Sequence, residues 1–212
     1  MPDHDVPDDG ADRSFEPAAV RAARRVSEAS IAWTLVGSSF AIAFGISSGS
    51  AALVAFGAVG YVDLVGSVAL VHHFRHALRT EELSDRFEQR AHRIVTIGLL
   101  AIGLAAVAIS AVRLGIGHFP TTSNAAIAIA AISLVGLSVL SVRKVRVARL
   151  VPSAALRSDG HLSGVGAAQA AVVLVGTGAA RLVEWHWADD TAALVVGVVA
   201  VAIATVTLRT ED

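Results

Sequence analysis

The amino-acid sequence predicts an all-α fold: a polytopic membrane protein with six transmembrane helices and both termini in the cytoplasm. Hydrophobic residues make up 54% of the 212 residues, and the mean hydropathy is +0.64. These residues are concentrated in long segments without a formal charge. A helix needs about 20 apolar residues to cross a bilayer, so such segments exclude an ordinary soluble domain. The charge-free segments are Ala29–Val62, Ile94–Val112, Leu114–Val142, Gly160–Ala180 and Thr191–Leu208.

The first charge-free segment is too long for one helix and contains a break. Turn-forming residues fill the stretch from Gly45 to Ser50, which predicts a short loop there. We therefore expect helix one from about Ser30 to Gly45. Helix two is expected from about Ser50 to His76, with Asp63 in its interior.

The remaining segments predict four more helices. Proline is tolerated in the first turn of a helix, so Pro152 is consistent with the start of helix five. Tryptophans suit the membrane interface, and Trp185 and Trp187 stand before helix six. The predicted ranges are about His92–Leu114, Ser123–Val142, Pro152–Val183 and Ala188–Leu208.

The positions of the cations predict the orientation. All but two of the 17 lysine and arginine residues precede helix one, lie between helices two and three or four and five, or follow helix six. The exceptions are Arg113 and Arg181. Because cytoplasmic loops carry the excess of positive charge, this distribution places both termini in the cytoplasm. An even number of helices leads independently to termini on one side. We expect the protein in the cell membrane.

The distribution of charged and apolar residues predicts two regions. Residues 1–27 comprise an acidic, disordered N-terminal tail and a basic segment before the first helix, and residues 28–209 form the six-helix transmembrane domain. We expect no cleavable signal peptide and no C-terminal cytoplasmic domain.

The composition also excludes several functional classes. The chain has no cysteine, which excludes disulfides and thiolate metal sites. Its net charge of −1 argues against nucleic acid as a partner. We find no nucleophile–base arrangement, phosphate loop or dinucleotide motif, so we expect neither an enzyme nor a bound cofactor.

Asp63 is the most informative residue, because its predicted position is near the middle of the bilayer. A charged side chain there costs at least ~2.5 kcal/mol on insertion scales, so it should face a partner or a watery path. This predicts a role in handling an ion or a proton. A carboxyl group bonded to a neighbouring serine or threonine is the alternative.

Helix five offers three further candidates, Asp159, His161 and Gln169. Asp159 and His161 are two residues apart, so a regular helix directs them to different faces. Asp159 lies near the cytoplasmic boundary, where pairing with Arg157 or helix capping would also explain it. Gln169 is expected at the depth of Asp63, and a carboxylate beside an amide oxygen suits a hard or borderline cation. An interhelical hydrogen bond is the alternative.

His72 and His76 are spaced four residues apart at the end of helix two. This spacing places both on one helix face, where they can bind a transition metal. The alternative is an interfacial helix end attracted to lipid head groups.

The chain resembles the transmembrane domain of the cation diffusion facilitator (cation efflux) family from about Arg21 to Leu208. GSAALVAFG (49–57) and DLVGS (63–67) are similar to that family's second helix. SAALRSD (153–159) is similar to the start of its fifth helix, and WAD (187–189) to the opening of its sixth.

This resemblance implies export of divalent cations such as zinc, manganese or iron in exchange for protons, usually by a homodimer and by alternating access. The family's site has two ligands four apart on helix two and two on helix five. Asp63 matches the second helix-two position, and Val59 the first. Alignment on Asp159 puts the helix-five positions at Leu162 and Gly166.

A second register and two other functions stay open. Counting from His161 instead places Val165 at the second helix-five position. Because few of these residues are metal ligands, the chain is alternatively a transport-inactive relative that acts as a membrane scaffold, regulator or partner subunit. A carrier of another small solute is the third possibility.

Overall fold

The computed structural model describes residues 17–80, 85–117, 124–150 and 154–211, and these residues are helical almost throughout. Each helix contains a segment that is long and apolar enough to cross a membrane, which confirms the predicted six-helix, all-α fold. The helices are α1 Pro17–Ser48, α2 Ala51–Thr80, α3 Asp85–Ile116, α4 Asn124–Leu150, α5 Ala154–Leu182 and α6 Ala188–Glu211. The predicted disordered tail of residues 1–16 lies outside the described residues.

Several helices are longer than the apolar segments that predicted them. α1 begins at Pro17 rather than near Ser30, and α4 ends at Leu150 rather than at Val142. The backbone hydrogen bonds of a helix are made within the helix itself, so it can continue beyond the apolar region into a charged stretch. The apolar segments therefore predicted the number of helices correctly, but not where α1 begins or where α4 ends.

The loop predicted between Gly45 and Ser50 is reduced to a tight turn. α1 continues to Ser48, and the chain reverses at Gly49, whose φ of 72° suits glycine. The hydroxyls of Ser47 and Ser48 donate to the carbonyl oxygen of Phe44 at 3.0 and 2.7 Å. These serines are thus compatible with the helix, although serine favours turns in general.

The bundle is built from three closely packed helix pairs: α1 with α2, α4 with α5, and α3 with α6. Small residues bring the axes together, as between α3 and α6. A Cβ added at Gly103 would lie 2.9 Å from the carbonyl oxygen of Gly197, and the reverse distance is also 2.9 Å. Such close approach is the usual basis of helix association in membranes, where helix contacts replace equally apolar lipid contacts.

The small pair Gly160 and Gly164 packs α5 against α4 of the same chain. A Cβ on Gly160 would meet the Lys144 Cβ at 3.1 Å, and one on Gly164 would meet the Ser141 Oγ at 3.0 Å. The Ser141 hydroxyl also donates to the carbonyl oxygen of Gly160 at 2.8 Å. These contacts fix the distance between α4 and α5 beside Lys144.

Polar contacts fasten the start of α6 to the turn between α1 and α2. Asp189 accepts hydrogen bonds from the Ser50 hydroxyl at 2.6 Å and from the Ala52 amide at 3.3 Å, which caps α2. Arg113 of α3 donates to the carbonyl oxygen of Gly49 at 2.6 Å and lies 3.5 Å from Asp190. Four helices are therefore tied together at the end of the bundle opposite the basic loops.

Candidate ion site

A cavity of about 50 Å³ lies inside the bundle and is lined by residues from all six helices. A water molecule needs roughly 10–15 Å³ measured in this way, so the cavity can hold a few waters or a partly hydrated ion. Its apolar lining includes Phe56, Leu99 and Ile203. Its polar lining consists of Thr34, Ser38, Asp63, Ser133, Ser163 and Gln169.

Asp63 is the charged residue of this lining. The Asp63 Oδ1 atom is inaccessible to solvent and has no hydrogen-bond partner among the described residues. The Oγ1 atom of Thr34, also on the lining, is in the same situation. Unpaired buried polar atoms are costly, and costlier in a membrane, so an ion or water bound in the cavity would stabilise these oxygens.

Gln169 of α5 shares this cavity with Asp63 of α2. The Gln169 side chain is almost wholly buried, with 4% of the residue exposed. The two residues that were expected at one depth therefore line one cavity. Their role as cation ligands stays a prediction.

Asp159 is buried beside the cavity, where it pairs with a lysine that the sequence argument assigned to a loop. Its Oδ2 atom lies 2.7 Å from the Nζ of Lys144 on α4. The Ser67 hydroxyl of α2 donates to Asp159 Oδ1 at 3.3 Å. The Lys144 ammonium donates to the Ser163 hydroxyl at 2.9 Å, and that hydroxyl donates to the carbonyl oxygen of Asp159 at 3.1 Å.

Lys144 is thus a buried neighbour of the cavity, hydrogen-bonded to Ser163 of its lining, and 0% of its surface is exposed. It was placed among the cytoplasmic loop cations because the charge-free segment ends at Val142, whereas α4 continues to Leu150. The helical periodicity of α4 would have predicted that Lys144 is buried. Lys144 continues the spacing of three or four residues that marks the buried face of α4: Ala126, Ala130, Ser133, Leu137, Leu140, Lys144 and Ala148.

The histidine candidates lie elsewhere. His161 is exposed on α5, whereas Asp159 is buried, as their two-residue spacing predicted. His72 is also exposed, and the side chain of His76 lies outside the described part of the structure. Among the described residues, no three His, Cys, Asp or Glu side chains form a group that could hold a metal ion. A metal-binding role for His72 and His76 remains a prediction.

Six helices able to span a membrane surround a cavity, and one carboxylate oxygen on its lining, Asp63 Oδ1, has no hydrogen-bond partner among the described residues. These features define an integral membrane protein with a candidate ion site. A family model described as the cation efflux transmembrane domain matches residues 28–210. The chain therefore belongs to the cation efflux family, which confirms the resemblance, and it is a membrane cation transporter of the cation diffusion facilitator kind. A search of curated proteins gave no match.

The four positions that the resemblance assigns to the family's ligands all belong to the described residues. Val59, Asp63, Leu162 and Gly166 all line the cavity, as expected when α5 is aligned on Asp159. Val165 lines it as well, but His161 does not. The alignment on Asp159 thus places all four expected positions on one cavity, and Asp63 is the only one of the four whose side chain carries a metal-ligating group.

Proposed function

We propose that this protein exports a divalent cation in exchange for protons and that Asp63 is the residue on which the two compete. The supporting observation is the unpaired Asp63 carboxylate oxygen in a cavity at the centre of the bundle. A cation in this cavity would meet the oxygen that lacks a partner. Cation ligands must be deprotonated, so a proton bound to Asp63 would release the cation.

The donor atoms around Asp63 favour a hard or borderline cation. Besides the carboxylate, the lining offers the amide of Gln169 and the hydroxyls of Thr34, Ser133 and Ser163. Carboxylate, carbonyl and water oxygens suit manganese and magnesium, whereas zinc sites use mainly cysteine and histidine. We therefore propose manganese before iron or zinc as the cargo.

The direct test is transport in proteoliposomes with an acidic lumen. Wild-type protein is expected to take up Mn²⁺ as protons leave, and Asp63→Asn to abolish uptake while preserving side-chain shape. His161→Ala is the matched control, because His161 is exposed and outside the cavity. Equal uptake by wild type and Asp63→Asn would remove Asp63 from the mechanism. Absence of flux for manganese, iron, zinc and cobalt would contradict transport of divalent metals.

A specific observation supports a second candidate, a transport-inactive membrane scaffold, regulator or partner subunit. Three of the four ligand positions carry Val59, Leu162 and Gly166, which offer no side-chain ligand. Under this proposal wild type is inert, and Val59→Asp/Leu162→His/Gly166→Asp creates Mn²⁺ or Zn²⁺ binding. A Cβ on Gly166 would lie 3.4 Å from its nearest neighbour, the Cδ1 atom of Leu137, so a Cβ fits there in ordinary van der Waals contact. Flux in wild type rejects this candidate.

We also propose a homodimer, which the family resemblance supports. Lipid-facing positions such as Val36, Phe40 and Ile132 are large and exposed, and a second copy can pack on such a face. Cross-linking of the purified protein in lipid nanodiscs is expected to give a two-chain product. If cross-linking yields no two-chain product at any protein-to-lipid ratio, the dimer is contradicted.

A further inference from the structure

The Lys144–Asp159 pair changes the charge of the cavity, and this inference rests on the proposed function of Asp63. The ammonium is 0% exposed and lies 2.7 Å from the carboxylate. At this distance, in a weakly screening interior, the two charges largely cancel for any third charge nearby. Asp159 is therefore a carboxylate beside the ion site whose negative charge is already compensated.

The pair lies close enough to Asp63 to affect an ion there. Ser67, which donates to Asp159, follows Asp63 by one turn of α2, a rise of about 6 Å. Ser163 receives the hydrogen bond of Lys144 and also lines the cavity. Asp63 interacts electrostatically with both Lys144 and Asp159. The three charged groups therefore form one cluster across α2, α4 and α5.

A buried ion pair in this position is a poor way to stabilise the packing of α4 against α5. Desolvation of two charges commonly exceeds their attraction, and well-packed apolar residues of similar size are often as stable or more so. Neighbouring α4 positions on the same face are apolar, such as Leu140 and Ala148. A lysine here has a consequence that an apolar residue would lack: it adds one positive charge next to the ion site.

We propose that Lys144 is a specificity-determining residue that acts as a tethered cation. Its ammonium neutralises Asp159, so the cavity presents the single free carboxylate of Asp63 to the cargo. A divalent cation then binds with one uncompensated positive charge, and its affinity is low. Lys144 thereby sets how strongly the site discriminates by ionic charge, although it does not contact the cargo.

The test compares Mn²⁺ binding to purified protein by titration calorimetry. Lys144→Met is expected to free Asp159 and lower the Kd for Mn²⁺ by about tenfold or more, because a second negative charge then acts on the ion. Lys144→Arg keeps the charge and should leave the Kd near the wild-type value. Lys144→Met/Asp159→Asn removes both charges and should return the Kd to within about threefold of wild type.

A complementary variant keeps the proposal falsifiable if Lys144→Met does not fold. Asp159→Asn leaves the ammonium without its partner and directs it toward Asp63, so Mn²⁺ binding should weaken by about tenfold or more. An unchanged Kd in either folded variant would overturn the proposal. A purely structural role would change the melting temperature of Lys144→Met without the gain in affinity.

This experiment separates the proposal from the proposed function. Wild-type Mn²⁺ flux with an unchanged Kd in Lys144→Met would leave transport intact and reject the role of Lys144. Tighter binding in Lys144→Met, lost again in Lys144→Met/Asp63→Asn, would support the role of Lys144 even if wild type showed no flux. Tighter binding that persists without Asp63 would reject the shared site.

Discussion

Lys144 of α4 and Asp159 of α5 form a buried ion pair of 2.7 Å between two helices of a membrane-spanning bundle. Gly160 allows this approach, because α4 occupies the space that a side chain there would need. Ser67 extends the contact to α2, the helix that carries Asp63. One polar layer therefore connects α2, α4 and α5, the three helices that carry the charged groups at the proposed ion site.

This ion pair should be much harder to break on one side than to replace on both. Lys144→Met leaves a buried carboxylate unpaired, and we expect the free energy of unfolding to fall by about 3–5 kcal/mol. The free energy of unfolding of Lys144→Met/Asp159→Asn should fall clearly less, because no uncompensated charge remains. Unfolding of each variant in detergent without metal measures both effects, and equal losses would contradict the electrostatic explanation.

The contact at Gly160 should tolerate little extra volume. A Cβ there would lie 2.8 Å from the Val145 Cγ2 atom and 3.1 Å from the Val145 backbone nitrogen. Because overpacking typically costs about 1–3 kcal/mol, Gly160→Ala should lower the melting temperature. Gly178→Ala on the same helix is the control, since no atom lies within 4 Å of its added Cβ. A melting temperature of Gly160→Ala at or above that of the control would refute the packing assignment.

The predicted orientation can be tested by single-cysteine labelling, because the native chain has no cysteine. Leu150 and Leu182 end α4 and α5, which run in opposite directions, and their exposed fractions are 71% and 80%. With cytoplasmic termini, a membrane-impermeant maleimide should label Leu182→Cys in intact cells but Leu150→Cys only after lysis. The reverse pattern would place the termini outside.

The charge of the cluster predicts that transport responds to voltage. If the Lys144–Asp159 pair stays neutral, Asp63 exchanges one divalent cation for one proton, and each cycle moves one net positive charge. One charge is worth about 2.3 kcal/mol per 100 mV, so an inside-negative potential should accelerate Mn²⁺ uptake into proteoliposomes. Rates with and without a valinomycin-set potassium potential measure this. Identical rates would indicate an electroneutral exchange instead.

The resemblance to the family predicted part of the candidate ion site. It placed Asp63 and the positions Val59, Leu162 and Gly166, which the structure arranges around one cavity. Counting residues along antiparallel helices led to the prediction of Gln169, which lines the same cavity as Asp63. Lys144 was assigned to a loop because it lies in a basic cluster that follows the apolar segment. Its helical spacing from Leu137 and Leu140, which places it on the buried face of α4, was overlooked.

By itself the sequence determined the six apolar segments long enough to span a membrane and the all-α class, and it predicted an ion-handling role for Asp63. Those conclusions depend on the free energy of transferring whole segments into lipid, which adds up residue by residue along the chain. The tertiary structure decided that Asp159 pairs with Lys144, that Gln169 and Asp63 share a cavity and that His161 is exposed and does not line it. Such contacts depend on how each helix is rotated and packed against its neighbours, which the total hydropathy of a segment does not specify.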